Sequence, residues 1–405
     1  MALFTVFLDI LGFGIIIPIQ PFYAESFGAS EAVVTLIGAS FSFMQFLFAP
    51  FWGRLSDRVG RRPIILSSIA FTIVGHALFA SAGSLWMLLG ARMLVGFGSA
   101  NFGAAQAVIA DTTTGANRAR GMGLFGAAFG VGFIIGPAVG GTLGQISPEA
   151  PAWASAGLAV ANLLFAFRFL PETHPPERRG LGSKGPWLPI LELPRARLFP
   201  NAMRLLIATG IVITAQGLAE QVLSLMVERV WVLPAHGGIS TTVGHKEAAG
   251  MTAICLIGVG LVAAIVQGGL LGRLQRKYGE RRLVVVGSLI AAVGIGLYPV
   301  VAALGSFPLF VANGGIFAAG VGLMTPSLSG FLSRSVPNAE QGRWLGMAQS
   351  LGALGRTLGP AFSGLLFSVA HALPFVIASA LMLVTFVVAL RLGAVKDWGG
   401  SAHGA

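Results

Sequence analysis

Charged side chains are scarce in this chain: Asp, Glu, Lys and Arg together make up 10% of its 405 residues. A soluble domain is about a quarter charged, so this shortage excludes an ordinary water-soluble protein. Hydrophobic residues make up 55% of the chain, and its mean hydropathy is +0.81. The composition therefore indicates a protein embedded in a membrane.

Cysteine is nearly absent as well, since Cys255 is the only one. One cysteine can form neither an intrachain disulfide nor a cysteine-rich metal site. The glycine-rich stretch GFGSANFG, residues 96–103, lacks the lysine that a nucleotide-binding loop requires. No other segment resembles a zinc site or a catalytic triad. We therefore expect no metal, no cofactor and no enzymatic activity.

Long apolar runs take the place of these features. A helix needs about 20 apolar residues to cross the hydrocarbon core, whereas a membrane barrel would show short alternating segments. The runs here are long and continuous, so we predict an all-α membrane protein of twelve transmembrane helices in two pseudo-symmetric bundles. The predicted spans, numbered 1 to 12, cover residues 3–24, 30–52, 63–82, 85–110, 121–146, 152–170, 202–232, 248–270, 283–303, 306–331, 343–369 and 372–391.

The first run could also be read as a signal peptide. Asp9 interrupts it, however, no basic region precedes it, and eleven further spans follow. We treat it as span 1. The missing basic residues before Leu3 suggest a trimmed or misassigned start.

Positive charge is distributed unevenly around the spans. If the loops that begin at residues 54, 111, 171, 271 and 332 share a side with both termini, that side holds 22 of the 26 Lys and Arg residues. The opposite side holds only Arg229 and Lys246. The positive-inside rule makes the first side cytoplasmic. The net charge of +11 thus reflects topology, and we expect no nucleic acid partner.

A proline-rich, charged segment divides six spans from six. We predict a first bundle at residues 1–170, a cytoplasmic linker at 171–201 and a second bundle at 202–405. The halves also repeat in sequence: GRLSDRVGRR at 53 matches GRLQRKYGER at 272, and GPAVGG at 136 matches GPAFSG at 359. Duplicated helical halves are typical of secondary transporters, which expose a central site alternately to each side.

Ionisable residues inside spans are costly and mark functional sites. Asp9 lies in span 1, and helical periodicity returns Gln20 and Tyr23 to its face. It is a candidate proton-binding carboxylate facing a cavity, or a membrane-edge acid paired with an arginine. Glu220 in span 7, one turn after Gln216, is a second candidate for proton or substrate handling.

Two arginines also lie within spans. Arg92 needs a counter-charge or a carbonyl, and a role in proton coupling is one interpretation. Arg356 could meet an anionic substrate or pair with Glu220. Asn313 is either cavity lining or a hydrogen-bonding contact between helices. Glu228 and Arg229, at the outer end of span 7, are predicted to form a solvated pair.

Span 5 carries four glycines at a spacing of four residues, namely Gly132, Gly136, Gly140 and Gly144, and Pro137 directly follows Gly136. Such a stripe allows close helix packing, and proline favours a kink. The stripe is either a static seam or, as we favour because span 11 repeats it, a seam along which the halves move.

Several motifs together resemble the major facilitator superfamily, in particular its twelve-helix drug:proton antiporters of the tetracycline-exporter group. The resemblance covers nearly the whole chain. It is carried by LDILGFGIIIPIQPFYA at 8–24, GRLSDRVGRRP at 53–63, GARMLVGFGSANFGAAQAVIADTT at 90–113, GVGFIIGPAVGG at 130–141 and FLPETHPPERR at 169–179.

The resemblance implies a proton-coupled antiporter that exports small amphipathic compounds by alternating access, powered by the proton gradient. We expect a monomer in the inner membrane of a bacterium, with both termini cytoplasmic. Proton coupling would fall to Asp9, Glu220 and Arg92, and substrate would sit among Gln20, Tyr23, Gln216, Glu220, Asn313 and Arg356. The conformational gate would comprise Gly53, Asp57, Arg58, Gly60, Arg61, Arg62, Gly136 and Pro137, with Asp57 as a latch against span 11.

The chain also departs from that group. Tetracycline exporters carry acids in spans 3 and 9, whereas the corresponding residues 69–80 and 284–296 contain none. The departure weakens tetracycline as the substrate. A carrier for a single metabolite and a non-transporting membrane scaffold remain as alternatives.

Overall fold

The structure is a computed structural model of the whole chain. It describes residues 1–99, 134–174, 199–238, 241–337 and 341–393, together with positions 104, 108, 128, 131, 132, 177 and 193. The motif residues between 109 and 127 lie outside the described residues. The same is true of most of the linker.

Helices make up nearly all of the described chain, and these residues contain no strand. The helices are α1 (Ala2–Ile16), α2 (Gln20–Glu25), α3 (Glu31–Val59), α4 (Arg61–Ala80), α5 (Leu85–Gly98), α6 (Ile134–Gly144), α7 (Ala150–Phe169), α8 (Pro200–Val227), α9 (Thr242–Ile265), α10 (Leu271–Ala303), α11 (Phe307–Arg334), α12 (Gln341–Val369) and α13 (Leu373–Leu390). Single π-helical turns follow α8 at Glu228–Val232 and α9 at Val266–Leu270.

Within the described residues, seven helical stretches are long and apolar enough to cross a membrane. One of them runs from Thr242 to Ala303 and contains both span 8 and span 9. Shorter apolar helices occupy the described parts of spans 1, 4 and 5, and glycine-rich α12 occupies span 11. The all-α membrane architecture is confirmed.

Two local predictions were wrong. Span 1 is not one helix, because the chain breaks between α1 and α2 at residues 17–19, where Pro18 cannot donate a backbone hydrogen bond. The predicted loop between spans 8 and 9 is also largely helical. It turns at Gly279, whose φ of 75° lies in a region that only glycine adopts easily.

The glycine stripe of α6 packs against α1. A Cβ on Gly136 would lie 2.7 Å from the Cα of Gly14, and a Cβ on Gly14 would lie 3.2 Å from Cδ of Pro137. In the second half, a Cβ on Gly217 of α8 would lie 2.8 Å from Cδ of Pro360 in α12. The stripe therefore forms a close seam inside each half.

Contacts between the halves run along other faces. Helix α12 packs against α3 as well as α8, and the N–H of Gly364 donates to Oγ1 of Thr35 over 3.1 Å. On the other side of the molecule, Gly141 of α6 faces Ala253 of α9. These two pairs of helices form the boundary at which the candidate site lies.

Candidate functional site

Asp9 is bound inside the first half. Nδ2 of Asn162 in α7 donates to Oδ1 of Asp9 over 2.9 Å, and the same amide also contacts the carbonyl of Thr5 at 3.1 Å. Asn162 itself is fully buried. The amide therefore fixes the rotamer of the carboxylate against α7, a contact that sequence spacing did not indicate.

Arg92 lies between two aromatic rings, with its guanidinium carbon 5.7 Å from the ring centre of Phe13 and 4.9 Å from that of Phe41. Only 4% of the residue is exposed, and Nε and Nη1 find no hydrogen-bond partner among the described residues. Cation–π contact offsets part of the cost of burying the charge. The two nitrogens leave Arg92 able to bind an anionic group.

Glu220 and Arg356 lie close enough for their opposite charges to interact. The side chain of Glu220 in α8 has accessible area although protein surrounds it, so this area lies in internal space, and Gln216 one turn earlier is half-buried. Arg356 comes from α12, the helix packed on α8. The structure thus brings these three predicted residues together in the second half.

The other predicted cavity residues are distributed differently. Gln20 is buried where α2 approaches α3, and its Nε2 would lie 3.1 Å from a Cβ on Gly38. Gln221 of α8 meets the same glycine, and sequence analysis missed it. The hydroxyl of Tyr23 donates to the carbonyl of Ala82, and Nδ2 of Asn313 donates to that of Gly294. Tyr23 and Asn313 are therefore bonded within their own halves.

The predicted gate loop connects α3 and α4. Asp57 Oδ1 forms an ion pair with Arg61 Nη1 at 2.7 Å, and Arg58 is exposed. Gly60 has a φ of 115°, and a Cβ on Gly53 would meet open space. Nη2 of Arg62 donates to the carbonyl of Phe167 at the end of α7 over 2.6 Å. The loop is thus bound to its own half through Arg62.

Glu172 caps the N-terminus of α4, which follows this loop. The sequence did not reveal this role. Its carboxylate accepts the first N–H groups of α4, from Arg61 at 2.9 Å and from Arg62 at 3.3 Å. Partial burial raises the pKa of Glu172, but backbone N–H groups, first that of His174 and then those of the two arginines, outweigh it and hold the pKa below 4.5.

The opposite end of the bundle, the Arg229 end, holds a polar cluster that joins the halves. Arg229 reaches Glu25 at 2.8 Å, Glu31 at 3.3 Å and Glu228 at 2.7 Å. His245 of α9 lies 3.3 Å from Glu228. Burial, followed by the neighbouring Glu228 carboxylate, raises the pKa of Glu25 to about 7.

The predicted solvated Glu228–Arg229 pair was wrong, because Glu228 is only 1% exposed. Glu25 at the end of α2 and Glu31 at the start of α3 lie beside the pair and bind Arg229. Further contacts hold the same end together. Nζ of Lys246 donates to the carbonyl of Ile146 over 3.0 Å, and the ring of Phe22 stacks on His245. The structure is therefore closed at the Arg229 end.

The chain has two repeated halves that meet along paired helices, and ionisable groups lie within its apolar helices. These features define a secondary transporter. The chain belongs to the Major Facilitator Superfamily, whose sequence profile matches residues 2–271 and again 232–402. Proteins of this family are transporters, so the expectation that the chain is not an enzyme is confirmed.

Individual relatives agree with this assignment. The chain is 32% identical over 399 residues to the tetracycline resistance protein, class C, of Escherichia coli, which covers 96% of this chain and 95% of the relative. It is 36% identical over 366 residues to the class G protein of Vibrio anguillarum, covering 89% and 88%. The crystal structure of the human organic anion transporter MFSD10 (TETRAN) superposes with a TM-score of 0.72, at 25% identity, covering 96% and 97%.

Proposed function

We propose that the protein is a proton-coupled antiporter that exports small amphipathic compounds by alternating access. The named tetracycline resistance relatives support drug export. The observation that carries the proton coupling is Asp9, a carboxylate inside an apolar helix whose rotamer is fixed by the buried Asn162 amide. A carboxylate in such a place can gain and lose a proton as the surroundings change.

The two bundles of the transporter are residues 1–170 and 202–405, joined by the linker 171–201. In our proposal the Arg229 end faces outward and both termini are cytoplasmic, as the positive-inside rule requires. Asp9 then exchanges protons. Arg92 of α5 responds to the charge of Asp9, because its guanidinium contacts Phe13, one turn after Asp9 in α1. The protein would act as a monomer in a bacterial inner membrane, without a cofactor.

Substrate would bind where the halves meet, among Gln20, Gln216, Glu220 and Arg356. Two amides and a single opposite-charge pair suit varied amphipathic compounds, since few directional contacts restrict the substrate. A carbonyl or amine of the substrate could replace the interaction between Glu220 and Arg356. Tyr23 and Asn313 would support this site through their backbone hydrogen bonds.

A carrier for one organic anion is the second candidate. Arg92 has two nitrogens without a hydrogen-bond partner among the described residues, and Arg356 supplies another cation. The human relative of similar structure is an organic anion transporter. An anion exporter would show competition between carboxylate-bearing compounds and no transport of cationic dyes.

Inverted vesicles that contain the protein test both candidates. An imposed proton gradient, acidic inside, should drive accumulation of a cationic dye or of tetracycline, and dissipating the gradient should stop it. Asp9→Asn should abolish gradient-driven accumulation yet leave substrate binding measurable on purified protein. Accumulation that persists in Asp9→Asn would move proton coupling to another residue, and no gradient-driven transport of any compound would contradict antiport.

A further inference from the structure

Three side chains at the Arg229 end are arranged as metal ligands. Glu25 comes from α2, Glu228 from the π-helical turn after α8, and His245 from α9, and their ligand atoms all lie within 4.8 Å of one another. Two carboxylates and an imidazole form a donor set that suits zinc and its neighbours, whereas magnesium and calcium prefer oxygen alone.

Arg229 orients the carboxylates of Glu25 and Glu228. Its guanidinium binds Oε2 of Glu228 at 2.7 Å and Oε1 of Glu25 at 2.8 Å. The second oxygen of each carboxylate therefore turns toward Nε2 of His245, which lies 3.3 Å from Glu228 Oε1 and 3.8 Å from Glu25 Oε2. Ligand atoms around a tetrahedral zinc ion lie about 3.3–3.6 Å apart, given bonds of about 2.0–2.2 Å. Contraction of the remaining distances to this range would complete the site.

One of these oxygens is buried without a hydrogen bond. Oε2 of Glu25 accepts none from the described residues, and the Glu25 side chain is only 9% exposed. Burying a carboxylate oxygen without a donor is costly. A metal ion between Glu25 and His245 would satisfy it.

The local charge also favours a cation. Three carboxylates, those of Glu25, Glu31 and Glu228, face the single guanidinium of Arg229. The nearby Lys246 directs its ammonium to the Ile146 carbonyl. A divalent ion would offset the excess of negative charge. A cavity lined by Phe22, Tyr23 and Lys246 borders His245.

We propose that Glu25, Glu228 and His245 bind one Zn²⁺ ion across the boundary between the halves and that the ion holds the Arg229 end closed. Glu25 belongs to the first half, and the other two ligands belong to the second. The ion would therefore inhibit transport when it is added on that side. Zinc binding is independent of the proposed function, whereas inhibition by trapping rests on alternating access.

Zinc binding can be measured directly on the full chain, purified in detergent without a polyhistidine tag. Titration with Zn²⁺ against a fluorescent chelator should give one ion per chain. Glu25→Gln, Glu228→Gln and His245→Gln should each weaken binding at least ten-fold, because each removes one of three ligands. His245→Cys should restore binding, since a thiolate also binds zinc, and this variant separates loss of a ligand from misfolding.

The exposed His236–Glu247 pair is a matched control. It brings a histidine nitrogen within 3.0 Å of a carboxylate near the same end but offers only two donors. His236→Gln should leave the affinity for Zn²⁺ unchanged. Absence of stoichiometric binding, or equal affinity in His245→Gln and the parent protein, would overturn the site.

A distance measurement tests the closing effect without any transport. Spin labels at Gly83→Cys, between α4 and α5, and at Leu304→Cys, after α10, would report the separation of the halves at this end in a Cys255→Ala background. Both positions are exposed. Zn²⁺ should collapse the distances to one short population, and His245→Gln should not respond. Bound Zn²⁺ that leaves the distances unchanged would refute the closing effect.

Discussion

The loop at residues 53–62 and its repeat at 272–281 share a backbone but not their charges. Gly60 and Gly279 occupy equivalent positions, and both have positive φ, 115° and 75°. Nη2 of Arg62 donates to the carbonyl of Phe167, and Nη2 of Arg281 donates to that of Leu390, each at the end of the last helix of its half. These parts of the motif maintain each half.

The differences fall at two other positions of the motif. Asp57 pairs with Arg61 in the first loop. In the repeat, the exposed Arg276 replaces Asp57 and Glu280 replaces Arg61, and Glu280 pairs with Arg334 of α11. The acid has moved by one helical turn and has changed its partner. A residue that both halves needed for folding would be retained in both. The second half has no acid at the position of Asp57, as the latch hypothesis predicts, and the latch itself stays a prediction.

Glycine substitutions test the shared part and should have the largest effect on stability. Gly60→Ala and Gly279→Ala each force a Cβ into backbone conformations that essentially only glycine adopts, at a cost of about 1–3 kcal/mol. Unfolding by SDS in mixed micelles would measure both. Gly53→Ala, where a Cβ meets open space, should be neutral or slightly stabilising. A large loss at only one of the two loops would contradict their equivalence.

Asp57 tests the part that is not shared. In the latch hypothesis Asp57 faces the N-terminal end of α12, where a carboxylate contributes up to about 2 kcal/mol when partly buried. Asp57→Asn should therefore slow transport about ten-fold. The stability of the variant should change by only about 0.3–0.5 kcal/mol, the usual contribution of an ion pair one helical turn apart. Arg276→Asn at the equivalent position is the control, assayed in the same vesicles. Equal transport by the two variants would refute the latch.

The same comparison shows how far the sequence could lead. The repeat, the spans and the close glycine seams follow from spacing, because helical periodicity decides which residues share a face. The seam is nevertheless internal, since Gly136 packs on Gly14 of its own half. Spacing could not indicate which neighbouring helix would meet the stripe.

The polar contacts were harder to predict because their partners are distant in sequence. Glu172 caps α4 from beyond α7, and Arg229 gathers acids from α2 and α3. Such pairings depend on which helix ends meet after packing. The only signal in the sequence was a surplus of acids on the side that is predicted to face outward, with Arg229 as one of two cations there.

The arginines common to both loops should have a moderate and equal effect. Arg62→Gln and Arg281→Gln each remove a donor to a carbonyl at a helix end, which typically costs about 0.5–1.5 kcal/mol. The same SDS unfolding assay would compare them, with exposed Arg58→Gln as the control. Unequal losses would show that Phe167, whose ring also contacts the Arg62 guanidinium, adds a contribution that the second loop lacks.

The smallest expected effect concerns the Glu172 cap. Glu172→Ala should destabilise the protein by about 0.5 kcal/mol, the low end for a cap, because the contact is exposed to solvent. Since the folded state lowers the pKa of Glu172 below 4.5, this contribution is fully present above about pH 4.5 and is lost as the pH falls through the lowered value. The stability curves of the parent and the variant should therefore converge in acid. Glu177→Ala, which removes an exposed acid of the same linker, is the control and should leave the stability unchanged. A Glu172→Ala difference that persists in acid would show that the cap does not act through charge.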